Sequence, residues 1–261
     1  HTCVVTNTYQ VKCFGANSGG SLGYGDFSYR GDLPGEMGDY LPFVNLNEQV
    51  ISVSLGSGHS CATFIDSSIA CWGTNTNGQL GQEDFADRGD NPNEMGAYLA
   101  PIDVGTGVTV LLLDTGYYHN CILTMDGQVK CWGRGAQGQT GYGDSSDRGS
   151  SSFQMGDYLD FVDVGSGCVV VDLSLGQFHT CVLCSNGDVK CFGYNVNGQL
   201  GYEDVSNRGD GSGEMGDSLP FVDVGSGRTV VDVCGGYIHT CGILDDYSVK
   251  CWGLNGQGQL G

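Results

Sequence analysis

Five histidines and ten of the thirteen cysteines recur at fixed offsets, a pattern that offers metal binding, nucleophilic catalysis or disulfide formation. The pairs are Cys3 and Cys13, Cys61 and Cys71, Cys121 and Cys131, Cys181 and Cys191, and Cys241 and Cys251, each ten positions apart. His1, His59, His119, His179 and His239 stand two residues before the first cysteine of each pair, in steps of 58, 60, 60 and 60. Zinc clusters space their ligands about two to four residues apart, and only Cys181 and Cys184 are that close. Equal long spacing reads instead as a disulfide framework in an oxidising compartment. No Ser-His-Asp set can be singled out when every candidate histidine is repeated. No phosphate loop or metalloprotease motif is present. The histidines are expected to bond within or between repeats.

A fixed period of this length means stacked copies of one supersecondary unit. In the third copy, YHNCILTMDGQVKCWG places two β-rich runs around Met125-Asp126-Gly127, a hairpin signal. Cys121 and Cys131 centre on Asp126, so they oppose each other across the hairpin. Such a clip contributes about 3 kcal/mol in the chain-entropy model. A second clip is read in the fourth copy, where Cys168 and Cys184 centre on Gly176. Cys234 is then left over as a buried thiol, a free reactive thiol or an intermolecular link.

After each hairpin comes Trp or Phe then Gly, followed by a GQLG-like turn such as Gly78-Gln79-Leu80-Gly81. Before each later hairpin sits a β-branched run such as Thr229-Val230-Val231-Asp232-Val233. One unit thus offers about four short strands, several apolar on both faces, as in a propeller blade held between neighbours. The expected fold class is all-β: a β-propeller of four-stranded blades with repeats of about sixty residues and one hairpin disulfide per blade. Residues 1–261 read as one repeat array with five hairpins and four long loops. The array is expected to belong to a longer chain; closure of five blades by shared strands is the competing expectation.

Net charge is −20, from 10 basic and 30 acidic residues. Eight basic residues occupy repeated positions, which leaves no stripe for phosphates and argues against nucleic acid or an anionic membrane. No run approaches the roughly 18 apolar residues of a membrane helix. The chain begins on His1 without a signal peptide, so it reads as a mature or excised piece.

The acidic residues gather in the loop after each GQLG turn. Asp26, Asp32, Glu36 and Asp39 of the first copy recur as Asp204, Asp210, Glu214 and Asp217 of the fourth. Three readings compete. Arg30, Arg88, Arg148 and Arg208 pair with local carboxylates and pin each loop. Alternatively, those eight carboxylates bind calcium, which wants about 6–8 oxygens; the third copy, with Ser150 and Gln154, should then bind worst. The last reading is adhesion through Arg-Gly-Asp at 30–32, 88–90 and 208–210.

GxxHTC, VKCWG and GQLG, in that order at this period, resemble the regulator-of-chromosome-condensation repeat family. The resemblance spans essentially the whole chain and implies a β-propeller of four-stranded blades. The namesake of the family is a nucleotide-exchange factor for a small GTPase on chromatin. This acidic, cysteine-clipped chain is more similar to secreted members. The resulting expectation is a non-enzymatic extracellular module for structure or recognition, including a subunit of a filament or surface appendage. A secreted inhibitor or receptor ligand on the same scaffold is the alternative. Its partners are expected to be a protein, a glycan or a second copy, with no membrane insertion and no cofactor apart from calcium.

Overall fold

The computed structural model describes residues 1–261 and contains fourteen short strands in five antiparallel sheets. The first sheet pairs β1 (Thr2–Val5) with β2 (Val11–Phe14). Four three-stranded meanders follow: β3 (Val50–Leu55), β4 (His59–Phe64) and β5 (Ile69–Gly73); β6 (Val110–Thr115), β7 (His119–Thr124) and β8 (Val129–Gly133); β9 (Val170–Leu175), β10 (His179–Cys184) and β11 (Val189–Gly193); β12 (Val230–Gly235), β13 (His239–Leu244) and β14 (Val249–Gly253). The middle strands β4, β7 and β10 are buried along their whole length, as strands covered on both faces must be.

The expected fourth strand is absent from every sheet. The GQLG segments are turns, because Gly78 (φ 75°) and Gly81 (φ 63°) occupy left-handed backbone that a strand cannot use. Beyond them, the outer edge of each of the first four sheets receives only isolated pairings. Arg88 bridges Gly73, and Ile102 N donates to Ile69 O at 2.8 Å, with equivalents in the other repeats. Apart from the two-stranded first sheet, the blades are therefore three-stranded.

The hairpin cysteines sit in direct register across their strands. Cys3 is bonded to Cys13, Cys61 to Cys71, Cys121 to Cys131, Cys181 to Cys191 and Cys241 to Cys251, each with Cα atoms 4.1 Å apart. That is close to a non-hydrogen-bonded antiparallel pair, about 4.5 Å. Cys168 is bonded to Cys184 with Cα atoms 4.9 Å apart. The fourth repeat therefore carries two clips, its hairpin bond and the second one read between Cys168 and Cys184.

Successive inner strands β3, β6, β9 and β12 pack side by side, and four apolar clusters fill the spaces between and within blades. Trp72, Trp132 and Phe192 are fully buried there. The outward face of the last blade has no neighbour. Val249 is 61% exposed, whereas its counterparts Val129 and Val189 are each 1% exposed. Gly198 has open space where Gly78 and Gly138 are crowded by the next repeat's Arg-Gly turn. The five blades form an open array.

Candidate recognition surface

Two classes of residue share the blade ends: those repeated in every copy and those that differ. The hairpin cysteines belong to the first class, and those of the inner blades are buried. Cys71 on β5 and Cys191 on β11 are 0% exposed, and so are their partners Cys61 and Cys181. Cys61 and Cys71 join the apolar cluster that holds Leu80 and Trp132; Cys181 and Cys191 join the one that holds Leu200 and Val233. As oxidised sulfurs packed among aliphatic groups, Cys71 and Cys191 offer neither a nucleophile nor a metal ligand, and their part is structural. Cys251 in the uncovered last blade is only partly buried, although it is bonded in the same way.

The histidines repeat as well. His59 Nε2 lies 2.8 Å from Asn120 Oδ1 in the next blade, and Asn120 Nδ2 donates to Gln79 O at 2.7 Å. His179 reaches Thr240 Oγ1 at 2.9 Å, and Thr240 donates to Gln199 O at 2.8 Å. The threonine hydroxyl spends its proton on a carbonyl and the Asn120 oxygen has none, so the histidine must donate from Nε2 as a neutral imidazole. Burial pushes the imidazoles down, His59 and His179 to about 4 and His119 to about 3. These rings fasten one blade to the next and are closed to solvent.

The acidic loops are built the same way in every copy. Arg30, Arg88, Arg148 and Arg208 each meet the aspartate four residues earlier, Asp26, Asp84, Asp144 and Asp204, at 2.6–2.9 Å. The arginine also lies over the ring of Tyr24, Tyr142 or Tyr202 in three copies. The Arg88 guanidinium holds the Asp84 carboxyl below its ordinary value. Glu36, Glu94 and Glu214 accept backbone amides of the Arg-Gly-Asp turn; Gln154 does so in the third copy. Asp217 takes the amide and hydroxyl of Ser166.

These contacts correct two expectations. Asp26, Glu36, Asp204, Asp210, Glu214 and Asp217 each accept from their own local donors, and no group of three or more His, Cys, Asp or Glu side chains is placed to hold a metal ion. Asp26, Asp32, Glu36 and Asp39 do not form a ligand cage, nor do Asp204, Asp210, Glu214 and Asp217. The Arg-Gly-Asp tripeptides point their arginines inward, with those side chains only 18–20% exposed at 30, 88 and 208.

Cys234, on β12 opposite Cys241, is an exposed free thiol. Its counterparts on the inner strands reach the neighbouring blade: Ser54 Oγ bonds Asp114 at 2.9 Å, and Ser174 Oγ accepts from Gly235 N at 2.9 Å.

The second class lies around the array axis. Ser57, Tyr117, Gln177 and Tyr237 are equivalent residues of successive blades, joined head to tail by backbone bonds of 3.0–3.2 Å. They surround a shallow depression of about 290 Å³ floored by Gly56, Gly116, Gly176 and Gly236. Adjacent positions also differ between copies: Gly58, Tyr118, Phe178 and Ile238 precede the histidines, and Thr74, Arg134, Tyr194 and Leu254 follow the Trp-Gly or Phe-Gly pairs. The result is one aromatic patch. Tyr117 packs on Tyr118 at 4.5 Å, Phe178 at 5.8 Å and Tyr237 at 6.0 Å between ring centres. Phe178 continues to Tyr194, and Gln177 donates to the Tyr237 hydroxyl at 2.7 Å. The Arg134 guanidinium lies 5.2 Å from the centre of the Phe178 ring. Burial among these rings raises the Tyr118 phenol above its ordinary value. Sequence reasoning missed this patch because each residue adjoins a repeated motif; subtracting one copy from the next would have revealed it.

Comparison with known proteins agrees with the repeat. The regulator of chromosome condensation (RCC1) repeat matches residues 50–79, 111–139 and 170–199. The ultraviolet-B receptor UVR8 of Arabidopsis thaliana is 27% identical over 248 residues, covering 92% of this chain and 50% of the receptor. The probable E3 ubiquitin-protein ligase HERC6 of Homo sapiens is 30% identical over 247 residues, covering 93% of this chain and 22% of the ligase. The chain thus spans half or less of these relatives. Yeast RCC1 (Prp20), solved bound to Kap60, superposes with a TM-score of 0.64 at 15% identity, covering 97% of this chain and 54% of that one. The chain thus carries regulator of chromosome condensation (RCC1) repeats in three places, has RCC1-like relatives and shares the fold of yeast RCC1.

Proposed function

We propose that this chain is a non-enzymatic recognition module that works in an extracellular, oxidising setting. The observation that carries the reading is the axial patch: at the blade ends, the repeated residues fasten the scaffold, and the residues that differ gather into one partly exposed aromatic surface. Function sits in sites grafted on folds, and this is where the copies have diverged. The setting follows from the clips. Six disulfides in 261 residues suit an oxidising compartment. Relatives with this repeat include a receptor and a protein solved with a bound protein, alongside a probable E3 ubiquitin-protein ligase of which this chain matches 22%.

The reading is tested by producing the chain in a secretory and in a reducing compartment. Folded, soluble protein from the secretory route alone supports it; equal yield and stability of a fully reduced form refutes the setting.

The array also continues past these blades, by our reading. The exposed face of β12–β14 presents unfilled counterparts of internal contacts: Lys250 binds one carbonyl where Lys130 and Lys190 each bind two. A full-length reading frame without further repeats would contradict this. A secreted inhibitor or receptor ligand on this scaffold would show saturable one-to-one binding of a single partner. A filament subunit would instead self-associate, using the open edge and Cys234.

A further inference from the structure

Arg134 is unlike every other basic residue in the chain. Of the ten lysines and arginines, five arginines hold carboxylates and four lysines donate to backbone carbonyls. The Arg134 side chain alone makes neither a hydrogen bond nor an ion pair, in a protein with three acidic residues for each basic one. It lies instead over Phe178 at 5.2 Å and at 6.0 Å from the Tyr118 ring, a position that leaves its donors open. Side chains so stacked are preorganised, and less freedom is lost when they bind.

We propose that the axial patch docks a protein partner whose contact surface sets a single carboxylate beside an apolar side chain. The carboxylate pairs with Arg134, and the apolar group covers Phe178, Tyr117 and Tyr237. This deepens the recognition reading above and rests on it. Three observations favour a protein. Tyrosine and arginine, which dominate the patch, are enriched in the residues that carry most of the energy of protein interfaces. Such residues sit centrally, sheltered by a rim that excludes water, and this patch lies at the axis with blade ends on its flanks. An unpaired guanidinium selects a planar two-oxygen acceptor, which a neutral sugar lacks. The net charge of −20 adds a further condition. It repels an acidic partner as a whole, so the carboxylate belongs to a neutral or basic protein; at close range the general field is screened beyond about 8 Å.

The test is selection of a random peptide library on the folded chain, alongside a glycan array, with Arg134→Gln and Tyr237→Ala as comparison proteins. Both positions are partly exposed, and unchanged melting temperatures confirm folding. The expected peptides carry Asp or Glu next to an apolar residue, and Arg134→Gln weakens them roughly tenfold or more, as loss of a charge-assisted pair should. Peptides that bind Arg134→Gln as tightly as the parent overturn the proposal. Sugar binding lost in Tyr237→Ala, without peptide binding, overturns the partner class but keeps the recognition reading. Absence of any ligand at this face in both formats overturns both.

Discussion

His119 Nε2 donates to Thr180 Oγ1 at 3.0 Å, joining two blades through side chains that are both fully buried. Thr180 passes its own proton to Gln139 O at 2.9 Å. Replacing Thr180 by valine keeps the shape and strands both partners. Each buried group left unpaired costs about 1–3 kcal/mol. Thr180→Val should therefore lower the unfolding free energy by about 2–6 kcal/mol, read by urea denaturation. A loss below about 0.5 kcal/mol, the scale of an ordinary surface substitution, would show the relay to be dispensable.

The same imidazoles make stability depend on pH. His59, His119 and His179 have folded values depressed to about 4, 3 and 4 from an ordinary 6.5. The unfolded chain therefore binds more protons below pH 6.5, and stability falls as pH drops from there toward 4. Each histidine contributes up to about 1.4 kcal/mol per pH unit. Asp90, raised to about 6 by burial and Glu94, works in the opposite direction, as do Asp114 and Asp172, which burial also raises. The discriminating comparison is His119→Gln against the parent. The variant should be less stable at pH 7 but lose less between pH 6.5 and 4. Parallel pH profiles would contradict the depressed histidine.

The loops should respond to arginine chemistry and not to calcium. Arg88 grips both oxygens of Asp84, at 2.7 and 3.0 Å, while the aspartate remains well exposed. A pair so solvated is worth about 1 kcal/mol or less. Arg88→Lys should shift melting only slightly but speed proteolytic cleavage between residues 82 and 100, because lysine cannot bind bidentately. Millimolar calcium should leave the melting temperature of the parent unchanged; a rise would revive the metal reading.

Reduction should abolish the fold. Removing one disulfide from a small secreted domain costs about 2–5 kcal/mol, and a domain's whole stability is about 5–15 kcal/mol. Six bonds exceed that margin, so the reduced chain should lose its cooperative transition. Alkylation before reduction should label Cys234 alone. Alkylation of Cys71 or Cys191 should require unfolding as well as reduction, since both are fully buried. A cooperative melt unaffected by reductant would remove the disulfides from the account.

The hairpins were readable in the sequence because two periodicities coincide. Cysteines ten apart around a turn demand facing positions, and Cys3↔Cys13, Cys61↔Cys71, Cys121↔Cys131 and Cys181↔Cys191 are in register. The period of sixty likewise exposed the histidines as structural. The strand count was misjudged because the apolar run that closes each acidic loop, such as Leu41 to Val44, is too short to pair as a strand, so Val44 makes one bond to Val11 in its place. Calcium was suggested by acidic composition, which cannot show that Glu214 already faces the amides of Gly209 and Gly211. The axial patch depends on Tyr117, Phe178 and Tyr237 converging from repeats sixty residues apart, a relation that becomes visible only when the blades are ordered around an axis.

The central claim is that repeated residues hold the scaffold while divergent axial residues recognise a partner. It is tested most directly by giving the third copy the residues of the second: Tyr117→Ser, Tyr118→Gly and Arg134→Thr together. The account predicts a melting temperature close to that of the parent and loss of binding to the peptides selected on the parent. Unfolding of this variant, or undiminished peptide binding by it, would contradict the account.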